Sequence, residues 1–497
     1  MRIQQFLEHH GIASNPFADE DAQTDLVFKG FCIKNTYHPS WDKIYGDPSE
    51  PSTAVVFGEK GSGKTALGLQ IVRHLADYNR AHRGHEVFVI PYDDFNPFLD
   101  RFREHFSGRK RRPERLLTMW RLWDHVDAVL SLGVTQLVDR LLENKQARHP
   151  AVQETGPLPV ASLQRDQLRD ILLLAACYDH STAESFEQRW KRLRRKLRYH
   201  TWSVSWDLLC GLIVTLAVLG VTAGLGQWTW FKQAWPYLFI AAGWLPRLGR
   251  CLRWSWQALR IRRHLRVLDR PLCMLRRVLM RLPGRQLAGQ PLPNMQRTDD
   301  RYELLGKFQG VLRSLGFPGI VVLVDRIDEP YLINGSAELM RALLWPMLDN
   351  KFLKHPGLGL KLLLPSDLAR FIDREDRDFY ERARLDKQNM VRSLDWTGQA
   401  LFDLADDRLK ACAGEAQSPN IAGLFDESMP AARLQAAFAS LRVPRHLFKF
   451  MYRLLAAHCN AHSEQQPVWG IGAATFESTL AVYLRELDAS DRGVGAI

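Results

Sequence analysis

The sequence predicts an α/β fold: a parallel sheet, interrupted by a long helical insertion and closed by a C-terminal helical lid. Three observations carry that expectation. Residues 54–90 read as strand, glycine-rich loop, helix and strand, the opening of a parallel α/β unit. Buried-strand runs return only at Ile320, more than 200 residues after the second strand. The region between contains a long uncharged stretch flanked by arginines.

The chain has 497 residues, too many for one ordinary core. Apolar residues make up 46% and charged residues 25%, which excludes a mostly disordered, collagen-like or small disulfide-rich protein. The cysteines (Cys32, Cys177, Cys210, Cys251, Cys273, Cys412, Cys459) are scattered without a CxxC pair. That argues against a disulfide framework or zinc ribbon and for a reducing compartment. The N-terminus lacks the apolar core of a signal peptide.

In chain order, residues 1–50 form a mixed, turn-rich segment ending at Glu50-Pro51. Ala54–Phe57 is a short buried strand closed by Gly58. Ala66–Tyr78 is a helix with Leu67, Ile71 and Leu75 on one face. Val87–Ile90 is a second strand, stopped by Pro91. Leu116–Leu142 and Leu163–Tyr178 read as helices around the loop Arg148–Pro159. Strands resume at Ile320–Val324 and Leu358–Leu364, and the tail from about 400 is helical. The expected division is an N-terminal segment (1–50), a first α/β half (51–95) and a helical insertion (96–200). An apolar hairpin (201–250), further helices (251–315), the second α/β half (316–398) and the helical lid (399–497) follow.

The net charge of +12 is local in origin. Lys191–Arg266 contains 14 Lys and Arg against a single acid, Asp207. Inside that window Leu208–Phe231 carries no charge, and Lys232 is its first interruption. A helix of 19 residues spans roughly 28 Å, about the hydrocarbon thickness of a bilayer. Two spans fit, Val204–Thr222 and Trp228–Pro246, with a tight turn at 223–227. Arginines flank both outer ends, as cytoplasm-facing ends of a transmembrane hairpin require. Nine of the 15 tryptophans fall between Trp190 and Trp256, the placement of an interfacial belt. Gly220 and Gly224 form a GxxxG spacing that suggests close helix packing. A lipid bilayer contacting residues 204–246 is therefore the expected partner.

Gly58-Glu59-Lys60-Gly61-Ser62-Gly63-Lys64-Thr65 matches GxxxxGK[ST] between a strand and a helix. Such a loop wraps backbone N–H groups around phosphates. Lys64 would reach the β- and γ-phosphates of ATP, and the Thr65 hydroxyl would ligate Mg²⁺. The strand Ile320–Val324 runs into Asp325-Arg326-Ile327-Asp328-Glu329. Asp325 would hold Mg²⁺ through water, and Asp328 or Glu329 would orient the attacking water. The basic run Arg109–Arg112 reads as a solvated loop.

That acidic ending is similar to the second Walker motif of STAND-type signalling ATPases. Transmembrane helices inserted between two Walker motifs resemble the KAP family of P-loop NTPases. The likeness covers residues of about 54–90, 201–250 and 318–460. KAP proteins typically end this strand in Asp-Asp-hydrophobic-Asp-Arg; here Arg326 replaces the second Asp and Glu329 replaces the Arg. The resemblance implies ATP hydrolysis with Mg²⁺ on the cytoplasmic side of a bacterial inner membrane. It also implies a conformational switch or assembly step, in signalling or anti-phage defence. On the wider ATPase plan, Ser366-Asp367 would sense the γ-phosphate and Arg445, after Val443-Pro444, would contact it from the lid. Arg382 and Arg384 would reach a neighbour in a homo-oligomer. Two other readings remain open: a soluble ATPase using the 191–266 arginines on nucleic acid, and a nucleotide-gated scaffold with little turnover.

Overall fold

The computed structural model describes residues 1–143, 158–181, 184–200, 206–226, 228–282, 287, 289–414 and 418–491. Most of the expected loop Arg148–Pro159 lies outside these residues, as do Val204 and Gln227.

The chain opens with helix α1 (Ile3–His9) and the short α2 (Trp41–Tyr45). Strand β1 (Ala54–Gly58), helix α3 (Lys64–Ala81) and strand β2 (Val87–Tyr92) follow. The insertion contributes α4 (Leu122–Leu141), α5 (Arg165–Tyr178), α6 (Phe186–Lys196) and α7 (Trp206–Gly224). It continues with α8 (Trp235–His264), α9 (Leu272–Leu279) and α10 (Thr298–Ser314). Strands β3 (Gly319–Val324), β4 (Leu358–Pro365) and β5 (Asn389–Val391) complete the sheet. The C-terminal helices are α11 (Gly398–Ala411), α12 (Ala431–Leu441), α13 (Pro444–Ala461) and α14 (Ala473–Asp491).

The five strands are parallel in the order β2-β3-β4-β1-β5. The pleat sends Ala54 and Val56 to one face and Val55 and Phe57 to the other. The first face packs on α3 through Leu67, Ile71 and Leu75. The second merges with the insertion helices in one continuous apolar core. Most of the described insertion helices, though not α7 or the first turns of α8, are therefore built onto the sheet. Buried ion pairs tie them together: Arg301 with Asp127 at 3.2 Å, and Arg189 with Asp139 and Asp179 at 2.8 and 2.7 Å.

Several sequence expectations are corrected. Pro91 does not stop β2, because β2 is an edge strand and its unpaired side tolerates the missing N–H. The helix expected over Leu116–Leu142 is interrupted: a short helix, Pro113–Leu117, ends first, and α4 begins at Leu122. Arg121 is extended, and its N–H donates to the Asp124 carboxylate at 2.9 Å, which caps the helix start. The three-residue strand β5 was too short to leave a periodic signal. The N-terminal segment is tied to the far end of the chain: Phe6, Leu7, Ile12 and Phe17 share a core with α11–α14.

The second apolar span is also different from its expectation. Trp228–Lys232 forms a 3₁₀ turn, and α8 begins only at Trp235, with Pro236 in its first turn. It then runs through Pro246 into the arginines, so its uncharged part covers about 18 Å. Among the described residues one helix, Trp206–Gly224, is long and apolar enough to cross a membrane; its mean hydropathy is 2.0. α7 and α8 pack antiparallel, with Asp207 on Arg250 at 2.7 Å and Thr215 Oγ1 accepting from Trp244 Nε1 at 3.2 Å. Gly220 and Gly224 face open space. The close approach is made instead at Gly211, against Trp244, and at Gly243, where a Cβ would lie 2.8 Å from Val214.

Candidate functional site

The carboxyl ends of β1, β3 and β4 lie side by side, and open parallel sheets bind ligands at that edge. β1 delivers the glycine-rich loop, β3 delivers Asp325, and β4 delivers Ser366-Asp367. A cavity of about 430 Å³ opens over them. It is lined by the loop, by Thr65, Asp325, Asp328, Glu329 and Asp367, and by Arg445 from the start of α13.

Gly61 and Gly63 have φ of +90° and +93°, a region that strains other residues. Gly63 lets the chain turn directly into α3, whose first N–H groups then face the cavity. At Gly61 a Cβ would lie 2.6 Å from Arg445 Cβ, and the Arg445 N–H donates to Gly61 O at 3.3 Å. The C-terminal helices are thus seated on the loop. Trp396 adds a second clasp: its indole N–H donates to Ser62 O at 2.9 Å. Ser62 Oγ is buried without a hydrogen-bond partner.

The Lys64 ammonium donates to the carbonyls of Gly58 and Glu59 at 2.8 and 2.9 Å. Burial lowers its pKa, while Asp325, Asp328 and Asp367 raise it. The Thr65 hydroxyl donates to Asp325 Oδ2 at 3.0 Å, and the Arg326 N–H donates to Asp325 Oδ1 at 2.9 Å. Burial pushes the Asp325 carboxyl upward, and these two hydrogen bonds oppose it. Thr65 and Asp325 are therefore paired hard-oxygen donors, the type Mg²⁺ takes alongside waters and substrate phosphates. Among the described residues no three His, Cys, Asp or Glu side chains gather into a protein-only metal site.

The two acids after Asp325 differ. Asp328 is half-buried and acts on the Lys64 charge. Glu329 is exposed and lies 3.6 Å from Arg326. Arg326 itself adopts a positive φ of 58°. Ser366 is drawn in by its N–H, which donates to Gly58 O at 3.0 Å. Arg445 Nε lies 3.9 Å from Glu20.

Arg382 and Arg384 are exposed around the short helix Arg377–Ala383 and do not line the cavity. Arg109–Arg112 is exposed in and beside a 3₁₀ turn. Sequence reasoning missed the N-terminal contribution to the cavity, including Glu20, Asp25 and Phe28. Asp25 is fixed by Arg408 at 2.6 Å, a pairing across 383 residues of sequence that no local pattern announces. No family model, curated protein or solved structure matches the chain.

Proposed function

We propose that this chain is a membrane-anchored P-loop ATPase that uses ATP and Mg²⁺ to drive a conformational switch or assembly step. The observation that carries the reading is the meeting of Lys64, Thr65 and Asp325 at the carboxyl ends of β1 and β3, which flank β4, with Arg445 seated on the same loop. Residues from distant parts of the sequence converge there in the chemistry that a nucleoside triphosphate requires.

The loop N–H groups and the α3 N-terminus would bind phosphate oxygens. Lys64 would exchange its two carbonyl partners for the β- and γ-phosphates. Thr65 and Asp325 would hold Mg²⁺, which when bound neutralises charge on the transferring phosphoryl group. Of the two acids lining the cavity, Asp328 is our choice to orient the attacking water, because it is the less exposed and its charge acts on Lys64, while Glu329 is exposed and paired with Arg326. Arg445 would report the γ-phosphate to the C-terminal helices.

The membrane part rests on α7, its exposed apolar face and the arginines beside it. In this reading the positive flank puts the nucleotide-binding region on the cytoplasmic side of a bacterial inner membrane. The KAP-like motif order supports the same reading. The test is ATP binding by the purified protein: Lys64→Ala abolishes it, and unchanged affinity overturns the proposal.

A further inference from the structure

A second concavity, of about 400 Å³, lies where the base of the α7–α8 pair meets α9. Trp244, Arg247 and Leu248 of α8 face Arg276 and Arg277 of α9 across it. The charges around it do not balance. Asp207 is taken by Arg250 at 2.7 Å. Glu187 is shared among Lys191, Arg277 and Arg281. Arg247 and Arg276 are half-buried, and neither has a carboxylate partner among the described residues. Arg247 lies over the Trp244 ring at 5.9 Å, and Arg276 reaches the Ser255 hydroxyl at 3.5 Å. Partly desolvated guanidinium groups facing a cavity suit an anion, and their planar forks match phosphate oxygens.

The neighbouring surface describes the rest of the ligand. Leu248, Leu245 and Leu238 are 54, 62 and 66% exposed. Their spacing puts them on one face of α8, leading from the cavity toward the apolar turn at Trp228–Lys232. A basic pocket at the foot of an apolar strip fits an amphiphile with an anionic head. Basic pockets between membrane helices hold such headgroups.

We propose that the cavity binds the phosphate headgroup of an anionic phospholipid, with its acyl chain along Leu248, Leu245 and Leu238. The proposal rests on the membrane reading above for where the chain resides, but binding itself is measurable in solution. The probes are dioctanoyl phosphatidylglycerol, dioctanoyl phosphatidylcholine and inorganic phosphate, titrated into the purified full-length chain. The anionic lipid should bind at least about tenfold more tightly than either of the others. Arg247→Gln with Arg276→Gln should weaken it by about tenfold or more, and Arg276→Gln alone should weaken it measurably, both with ATP binding intact. Arg109→Gln, in a distant basic turn, should leave it unchanged. Equal affinity for the two lipids, or full affinity in the double variant, overturns the site. Inorganic phosphate binding as tightly as the anionic lipid, or displacement of the lipid by a DNA duplex, also overturns it. Flotation with zwitterionic vesicles tests the anchor separately: a chain that stays out of vesicles yet binds the anionic lipid refutes the membrane reading and supports the headgroup site.

Discussion

Asp328 and Glu329 are adjacent in sequence but differ in burial and in the charges that act on them. Asp328 shares the field of Lys64, whereas Glu329 is exposed beside Arg326. Asp328→Asn should therefore slow ATP hydrolysis by about 100-fold or more, the scale of a lost general base, while ATP binding persists. Glu329→Gln should slow it much less. Single-turnover assays on both variants decide the matter, and the reverse order would assign the role to Glu329. A second residue makes the fold itself sensitive to pH. His125 is fully buried between Tyr92 Oη at 3.2 Å and Leu343 O at 2.8 Å. Burial lowers its pKa to about 4 from 6.5. The unfolded chain then binds the extra proton first, so this contribution is complete above pH 6.5 and is lost as pH falls toward 4. Its full size is on the order of 3 kcal/mol. His125→Gln should lower the melting temperature at pH 7.5, and the gap to the wild type should narrow at pH 5. A constant gap would contradict this account.

Elements with a local signature were legible. The strand–loop–helix of Ala54–Ala81 and the run into Asp325 could be read because hydrophobic runs and glycine spacing are short-range patterns. The helix start at Pro444 was legible for the same reason, while Arg445 was singled out by its likeness to a lid arginine. What failed was decided by distant contacts. The edge position of β2, which tolerates Pro91, depends on the pairing order of strands separated by the whole insertion. The seating of Asp25 on Arg408 and of Trp396 on Ser62 has no local trace. α8 misled for another reason: a lack of charge measures apolarity, and it does not show where a helix starts. Of the two apolar helices, α7 thus carries the insertion argument. Leu216, near its middle, is 65% exposed. Leu216→Arg puts a charge there at about 2.5–3.5 kcal/mol on insertion scales. The variant should shift from the membrane pellet toward the soluble fraction while still binding ATP. Unchanged fractionation would mean that α7 does not set the location.

At the scale of the whole molecule, the insertion divides into two kinds of surface. α4, α5, α6, α9, α10 and the last turns of α8 share the core of the sheet, with Trp254, Ala258 and Ile261 of α8 buried in it. α7 and the first turns of α8 project with most of their side chains exposed. The boundary between these regions is the Asp207–Arg250 ion pair. Because that contact brings the two chain ends within side-chain reach, the projecting part can be excised without pulling the core apart. Replacing residues 208–249 by about six Gly and Ser residues spans the gap between two packed helices, whose axes lie about 8–10 Å apart. The cut keeps Asp207, Arg250 and the buried half of α8. It also leaves the glycine loop, Asp325 and Arg445 untouched, since all three lie on the sheet and the C-terminal helices. The shortened chain should be soluble without detergent and bind ATP with wild-type affinity. Cutting back to His264 instead would remove Trp254 and Ile261 from the core, and that variant should aggregate. Detergent-free size-exclusion chromatography with nucleotide titration distinguishes the outcomes. Loss of ATP binding in the shorter deletion would show that α7 and α8 support the nucleotide site as well as the anchor.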